Sequence, residues 1–288
     1  MSKPLIGVHL PHGVPGVDGA TVLTWARNAE AAGFASIAVA ERLHYDNGDA
    51  IVTLAAAAGA TKSIPLLANI LIPSLRPPAV FAKEIATLSR FAPGRLTVGI
   101  AAGARSQDYE SAGVPWTERG RRVDAGLDAL FALVDPDNPP QSVGPVPDES
   151  IEVLVGGASK GAINRMLKHG NGYVGGGVKP EFMAYDIAAV NAAWHNAGKS
   201  GEPRIVAGTW FASESHFDEA DAWRDAYLEQ GGPPEFVRSP ISRGADELRS
   251  AIDAYAALGA TEVVLFGGVA DPAELDWLAD AVADYLGV

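Results

Sequence analysis

The chain contains no cysteine among its 288 residues. That excludes disulfides, thiolate metal sites and a cysteine nucleophile. Basic residues are scarce, with 22 Lys and Arg against 35 Asp and Glu and a formal charge of −13. Non-specific nucleic-acid binding depends on cationic side chains neutralising phosphates, so this balance argues against it. No apolar run is long enough to span a bilayer. The opening MSKPLIGVHLPHG carries no long apolar export core, so a cytoplasmic protein is expected. Histidine is also sparse, with six in all. Only His9, His12 and His44 fall near one prospective site, too few for a dinuclear hydrolase centre, and no metal is expected. No predicted strand contains a lysine, which leaves Schiff-base chemistry without its nucleophile.

A repeated unit fills the rest. Ala-rich helical stretches end at glycine or polar residues, and short β-branched runs follow them. Strands are predicted at Leu5–Leu10, Ser36–Glu41, Leu66–Ile72, Arg95–Ala101, Ile151–Val155, Gly172–Gly176, Arg204–Trp210 and Thr261–Phe266. They read as apolar runs rather than alternations, which implies burial on both faces and a parallel sheet. Helices are predicted between them, among them Ala20–Ala32, Ala50–Thr61, Glu118–Val134, Lys160–His169 and Glu181–Asn196. Asp135–Ser150 and Gly231–Arg243, rich in Pro with Asp or Gly, read as loops. Eight βα units with no linker fit one (β/α)8 TIM barrel over residues 1–288, with a doubly wound sheet as the alternative.

In such a barrel the chemistry belongs at the C-terminal strand ends. The fifth and sixth strands end in the glycine runs Gly156–Gly157 and Gly175–Gly177. Glycine lets a backbone approach a ligand closely, and uncovered N–H groups at a helix start attract anions. Ser159 stands where it can cap the next helix or donate to a phosphate, and Lys179 can add charge. The same glycines also serve as tight turns. With few acid–base groups nearby, the pattern suits a barrel whose bound phosphorylated cofactor carries the chemistry.

The stretch ANILIPSLRPPAVFAKEIATLSRFAPGRLTVGIAAG, from Ala68 to Gly103, resembles the luciferase-like monooxygenase superfamily, (β/α)8 enzymes that use flavin or deazaflavin. IGVHLP, AEAAGFASIAVAER, PWTERGRRVDAGLDAL and VLVGGASKGAINRMLKHGNGYVGGG match in order. The resemblance implies a cofactor phosphate held by Gly156, Gly157, Ala158 and Ser159, helped by Gly176 and Lys179. It places Asn69 and Ile70 at a bulge behind the cofactor ring, where deazaflavin members carry a non-proline cis peptide. Ala102 and Gly103 would flank the ring, and Glu41 would stand on its substrate side. His9 and His12 are candidates for proton donation or for neutral packing. Glu41 with Arg42 also reads as a rim ion pair, and Arg119 and Arg122 as a solvated salt-bridge face.

Two departures bear on the activity. Arg42 stands where sugar-phosphate dehydrogenases of the family have His, and Ala104 where they have Glu. The resemblance therefore implies an oxidoreductase that moves hydride between coenzyme F420 and an organic substrate, but not by that acid–base pair. FMN, supplied reduced by a partner reductase to a monooxygenase, is the alternative cofactor. A non-catalytic barrel binding a flavin or a phosphorylated metabolite is the second alternative. Relatives are commonly homodimers, which is the expectation here.

Overall fold

A computed structural model describes residues 3–135, 143–147, 149–231 and 234–286. Its strands are β1 (Leu5–His9), β2 (Ser36–Val39), β3 (Leu66–Leu71), β4 (Leu96–Ile100), β5 (Glu152–Gly156), β6 (Gly172–Val174), β7 (Arg204–Ala212), β8 (Ile241–Arg243) and β9 (Glu262–Gly267). Strands β1 to β6 pair in sequence, β6 pairs β7, β7 pairs β9 and β9 returns to β1, all parallel. This is a closed eight-stranded barrel, so the doubly wound alternative is excluded. The extra strand, β8, adds only to the far end of β7, pairing Trp210 with Ile241. It lies inside the stretch expected to be a loop.

The helices are α1 (Gly19–Ala31), α2 (Ala50–Ala60), α3 (Pro78–Phe91), α4 (Ser106–Ser111), α5 (Arg119–Leu133), α6 (Lys160–His169), α7 (Pro180–Asn196), α8 (Phe217–Glu229), α9 (Gly244–Ala257) and α10 (Pro272–Ala281). Local chemistry fixes many of their ends. Asp18, Asp49, Ser159 and Asp271 each accept a backbone N–H at a helix start. Gly33, at φ +82°, turns the chain out of α1 towards β2. Residues 136–142 and 148 of the expected Asp135–Ser150 loop lie outside the described residues.

Two apolar layers hold the barrel. Inside, Ala38, Leu67, Leu154, Val174, Val206 and Val264 pack across the axis. Outside, strand residues such as Ile37, Val98, Val153 and Val263 pack against Trp25, Leu54, Phe81, Leu127 and Leu278 from the helices. Burial on both faces is why the strands read as continuous apolar runs. At the N-terminal ends of the strands, Arg204 pairs with Glu152 and Glu262, and Glu262 also accepts from Ser36 Oγ. This ionic plug closes the barrel bottom and leaves the opposite mouth open.

Candidate active site

The mouth holds a cavity of about 560 Å³, within the usual range for a small-molecule site. Its base is the end of β3. The β3–β4 register shifts between Ala68 and Leu71, and the Asn69–Ile70 peptide is cis. Both Asn69 and Ile70 line the cavity. Gly99 makes the close approach to this segment: a Cβ there would stand 2.4 Å from the Ala68 carbonyl oxygen. Glu41 braces the same place. Its backbone N–H donates to Ile70 O at 3.0 Å, and its carboxylate accepts from Ile72 N–H and from Arg76. The expected Glu41–Arg42 rim pair is therefore not formed. Arg76, 35 residues away in sequence, takes Glu41 instead. Burial pushes the Glu41 carboxyl above its ordinary value, against the opposing pull of Arg76 and the Ile72 N–H.

Across the mouth, β5 and β6 end in the glycine rim. Gly156, Gly157, Ser159, Gly175, Gly176 and Gly177 line the cavity. Among the described residues, no backbone carbonyl accepts from the N–H groups of Gly157, Ala158 and Ser159. Gly157 sits at φ +82°, in the left-handed region that glycine allows. Ser159 Oγ accepts from Ala162 N–H at 3.3 Å, so it caps α6 as expected. Of the residues assigned to the phosphate, Ala158 can offer only its backbone N–H and Lys179 lies otherwise. The Ala158 side chain is absent from the lining, and Lys179 turns away, its Nζ donating to Phe236 O at 3.1 Å. Lys179 caps the chain into α7, and its ammonium stands with the loop beyond rather than in the cavity.

His9 and His12 both face this space, with ring centroids 5.2 Å apart. The Leu10 carbonyl lies 3.0 Å from His9 Nδ1 and can only accept, so Nδ1 carries the proton and Nε2 is a bare acceptor. Burial, with His12 beside it, lowers the His9 pKa to about 3. At neutral pH His9 thus has no proton to give from Nε2, contrary to the donor role considered for it. His12 has carbonyl oxygens on both sides, Leu10 O at 3.2 Å from Nδ1 and Ala40 O at 2.9 Å from Nε2. It ties β1 to β2 at the rim, and burial lowers its pKa also.

Ala102 and Gly103 line the cavity, and Tyr109 holds their turn by donating to Ala102 O. Arg119 also reaches the lining, its guanidinium 4.2 Å from the Trp116 ring. Arg122 donates to Ser74 O at 2.8 Å. The solvated face expected for these two arginines is accordingly only partial.

Several lining residues have no expected role, Tyr45 and Trp210 being expected only at strand ends and Trp223, Tyr227 and Phe266 not at the mouth at all. Trp210 from β7, Trp223 and Tyr227 from α8, Phe266 from β9 and Tyr45 form an aromatic wall. Trp223 and Tyr227 stack at 5.4 Å, and Trp210 lies 5.2 Å from Phe266. The i, i+4 spacing of Trp223 and Tyr227 along α8 puts those two rings together, whereas Tyr45 and Phe266 join them from other units and no sequence spacing marks their approach.

One feature decides how this cavity is to be understood. Eight buried side-chain polar atoms lack a hydrogen-bond partner among the described residues, and six belong to cavity-lining residues: His9 Nε2, Arg42 Nη1, Asn47 Oδ1, Asn69 Nδ2, Arg105 Nε and Trp210 Nε1. Buried polar groups are normally satisfied, so their concentration here marks a place built for a polar ligand. Four donors, two acceptors, flat rings and uncovered N–H groups fit a phosphorylated cofactor with a polar ring.

The profile of luciferase-like monooxygenases matches residues 5–263. The chain belongs to that family. Mycobacterial relatives are 30% identical over 136 residues, 44% of this chain and 47% of theirs, so the chain spans about half the length of these curated relatives. An F420-dependent glucose-6-phosphate dehydrogenase of Beutenbergia cavernae is 36% identical over 124 residues, 38% of this chain and 37% of the relative. An FMNH(2)-dependent dimethylsulfone monooxygenase of Pseudomonas putida is 34% identical over 97 residues, 32% of this chain and 26% of the relative. Among solved structures, an F420-dependent secondary alcohol dehydrogenase in complex with an F420-acetone adduct superposes with a TM-score of 0.80. It is 18% identical, and the match covers 99% of both chains. At that identity the likeness concerns the fold.

Proposed function

We propose that this luciferase-like barrel binds coenzyme F420 at the mouth and transfers a hydride between it and an organic substrate. The observation that carries this reading is the pair of unsatisfied buried atoms Asn69 Nδ2 and His9 Nε2 in a cavity rimmed by the glycines of β5 and β6. The group supplies, when bound, a ring carbon able to take or give hydride. The protein's own residues do the rest. Gly157, Ala158 and Ser159 offer N–H groups to the phosphate at the start of α6, where a helix N-terminus adds favourable charge. Asn69 Nδ2 donates and Ile70 packs behind the ring. The aromatic wall excludes water and confines the substrate to the opposite side. His9 Nε2 accepts a hydrogen bond from the bound pair. Glu41 holds the β3 bulge in place through Ile72 N–H and Arg76.

F420-dependent proteins among the relatives support the deazaflavin, and the FMN-dependent relative keeps FMN as the alternative, which would require a reductase partner. Titration of the purified protein with each cofactor distinguishes them. Saturable quenching of deazaflavin fluorescence, with weaker or no binding of FMN, is the expected result. Gly157→Asp adds a carboxylate beside the phosphate and is expected to abolish binding, with a modest loss of stability from the left-handed backbone at φ +82°, which Gly157→Ala shares without the charge. Unchanged affinity in Gly157→Asp refutes the phosphate placement.

A further inference from the structure

Arg105 leaves β4 and reaches almost across the mouth. Its guanidinium lies 4.8 Å from the Tyr227 ring on α8, its Nη2 donates to Tyr227 O at 3.4 Å, and its Nε has no partner. No carboxylate pairs with it among the described residues. Arg42 approaches the same ring from β2, at 5.5 Å. Arg42 is only 7% exposed, and Nε spends its charge on Asp108 at 3.0 Å. Asp108 is itself fully engaged, accepting from Leu43 and His44 N–H groups at 2.9 and 2.7 Å. That leaves Arg42 Nη1 buried and unpartnered. The remaining lining carboxylate, Glu41, is taken by Arg76. The balance at this corner of a chain with net charge −13 is thus one uncompensated positive charge. Both guanidinium groups stand over Tyr227, Arg42 also over Tyr45, and the Trp223 and Trp210 rings continue the wall from Tyr227.

We infer that Arg105, supported by Arg42, is the substrate-recognition site for a flat organic anion, an aromatic or conjugated carboxylate lying against the Trp210–Trp223–Tyr227 wall. This deepens the oxidoreductase reading above and rests on it for the word substrate. Arginine suits the task because its planar fork matches a carboxylate and stacks on rings. Burial lowers the Arg105 pKa from its usual value, yet a guanidinium remains charged at neutral pH. The site lies by β2, β4 and α8, whereas the proposed phosphate cradle lies at β5 and β6.

Calorimetry with 2-naphthoate and its uncharged isostere 2-naphthamide tests the inference, with the full chain both free and saturated with cofactor. Naphthoate is expected to bind saturably and naphthamide at least about tenfold more weakly. Arg105→Met keeps the stem and removes the charge, and is expected to weaken naphthoate roughly tenfold to a hundredfold. Arg105→Lys is expected to recover part of that loss. Cofactor affinity in both variants should equal wild type, which also reports a folded mouth. Equal binding of the acid and the amide overturns the inference, as does no binding of either or wild-type affinity in Arg105→Met. Weaker deazaflavin binding in Arg105→Met, with naphthoate unaffected, overturns it too and assigns the arginine to the acidic tail of the cofactor. Failure of both cofactors to bind while naphthoate still depends on Arg105 refutes the proposed function and leaves the anion site standing.

Discussion

Acid should weaken this protein in a window set by His9. The imidazole is neutral in the folded protein, with its pKa lowered from 6.5 to about 3 by burial and by His12. In the unfolded chain it protonates normally. Between those values the unfolded state binds more protons, so stability rises with pH and falls on acidification. The contribution is fully present above the ordinary imidazole value and is lost as the pH drops towards the folded value. Going from about pH 7 to about pH 5, the unfolded-state protonation of this one group removes about 2 kcal/mol. His12 shifts in the same direction and adds to the slope. Glu30, whose pKa is lowered to about 2 by the N–H groups of Ser63, Ile64 and Lys62 against the opposing effect of burial, acts only at lower pH and stays out of this window. Urea unfolding of wild type and His9→Gln at the two pH values measures the effect, because the variant's intrinsic cost cancels from the pH difference. The wild type should lose about 2 kcal/mol more than the variant across the interval. The His9 Cε1–H resonance should hold its neutral position over the same range. If the two proteins lose the same stability within about 0.5 kcal/mol, or the resonance titrates near the ordinary imidazole value, the reasoning is refuted.

Other expected outcomes follow from the frame of the barrel. A Cβ at Gly172 would sit 1.9 Å from Arg204 O, in the β6–β7 pairing. Gly172→Ala should therefore cost about 3 kcal/mol or prevent folding, seen as insoluble protein or a lowered urea midpoint. Gly198→Ala serves as its control, since that glycine meets nothing within 4 Å but holds φ +67°, and only a modest loss is expected there. Arg204→Ala leaves Glu262, 1% exposed, with Ser36 as its one remaining side-chain partner among the described residues. It should destabilise by about 3 kcal/mol, while Arg204→Met together with Glu262→Leu should recover most of the loss in the same unfolding assay.

The barrel was legible because its cause is local and repetitive. Each strand is buried on both faces, so it appears as an apolar run bounded by glycine or polar caps, and the predicted and observed strands agree to within one or two residues along most of the chain. The short strand β8 escaped because three residues, Ile241–Arg243, carry no periodicity. They pair only because β7 extends past the barrel rim and offers a free edge. The glycine rim was also readable, since close backbone approach demands glycine at particular places, whereas the β3 bulge at Asn69 and Ile70 was expected only from the family resemblance.

What the residues alone determined, then, is the eight-unit barrel, the family and the end at which its site must lie. Only the folded chain decided how the side chains at that end divide their work. Glu41 joins Arg76 rather than Arg42, and Arg42 joins Asp108, 66 residues away. Lys179 leaves the cavity for Phe236 O, burial holds the His9 imidazole neutral, and Tyr227 comes to lie under two arginines. The physical reason is the same in each case. Backbone pattern is set by neighbours in sequence, whereas charge pairing and desolvation depend on groups that barrel closure brings together from distant units.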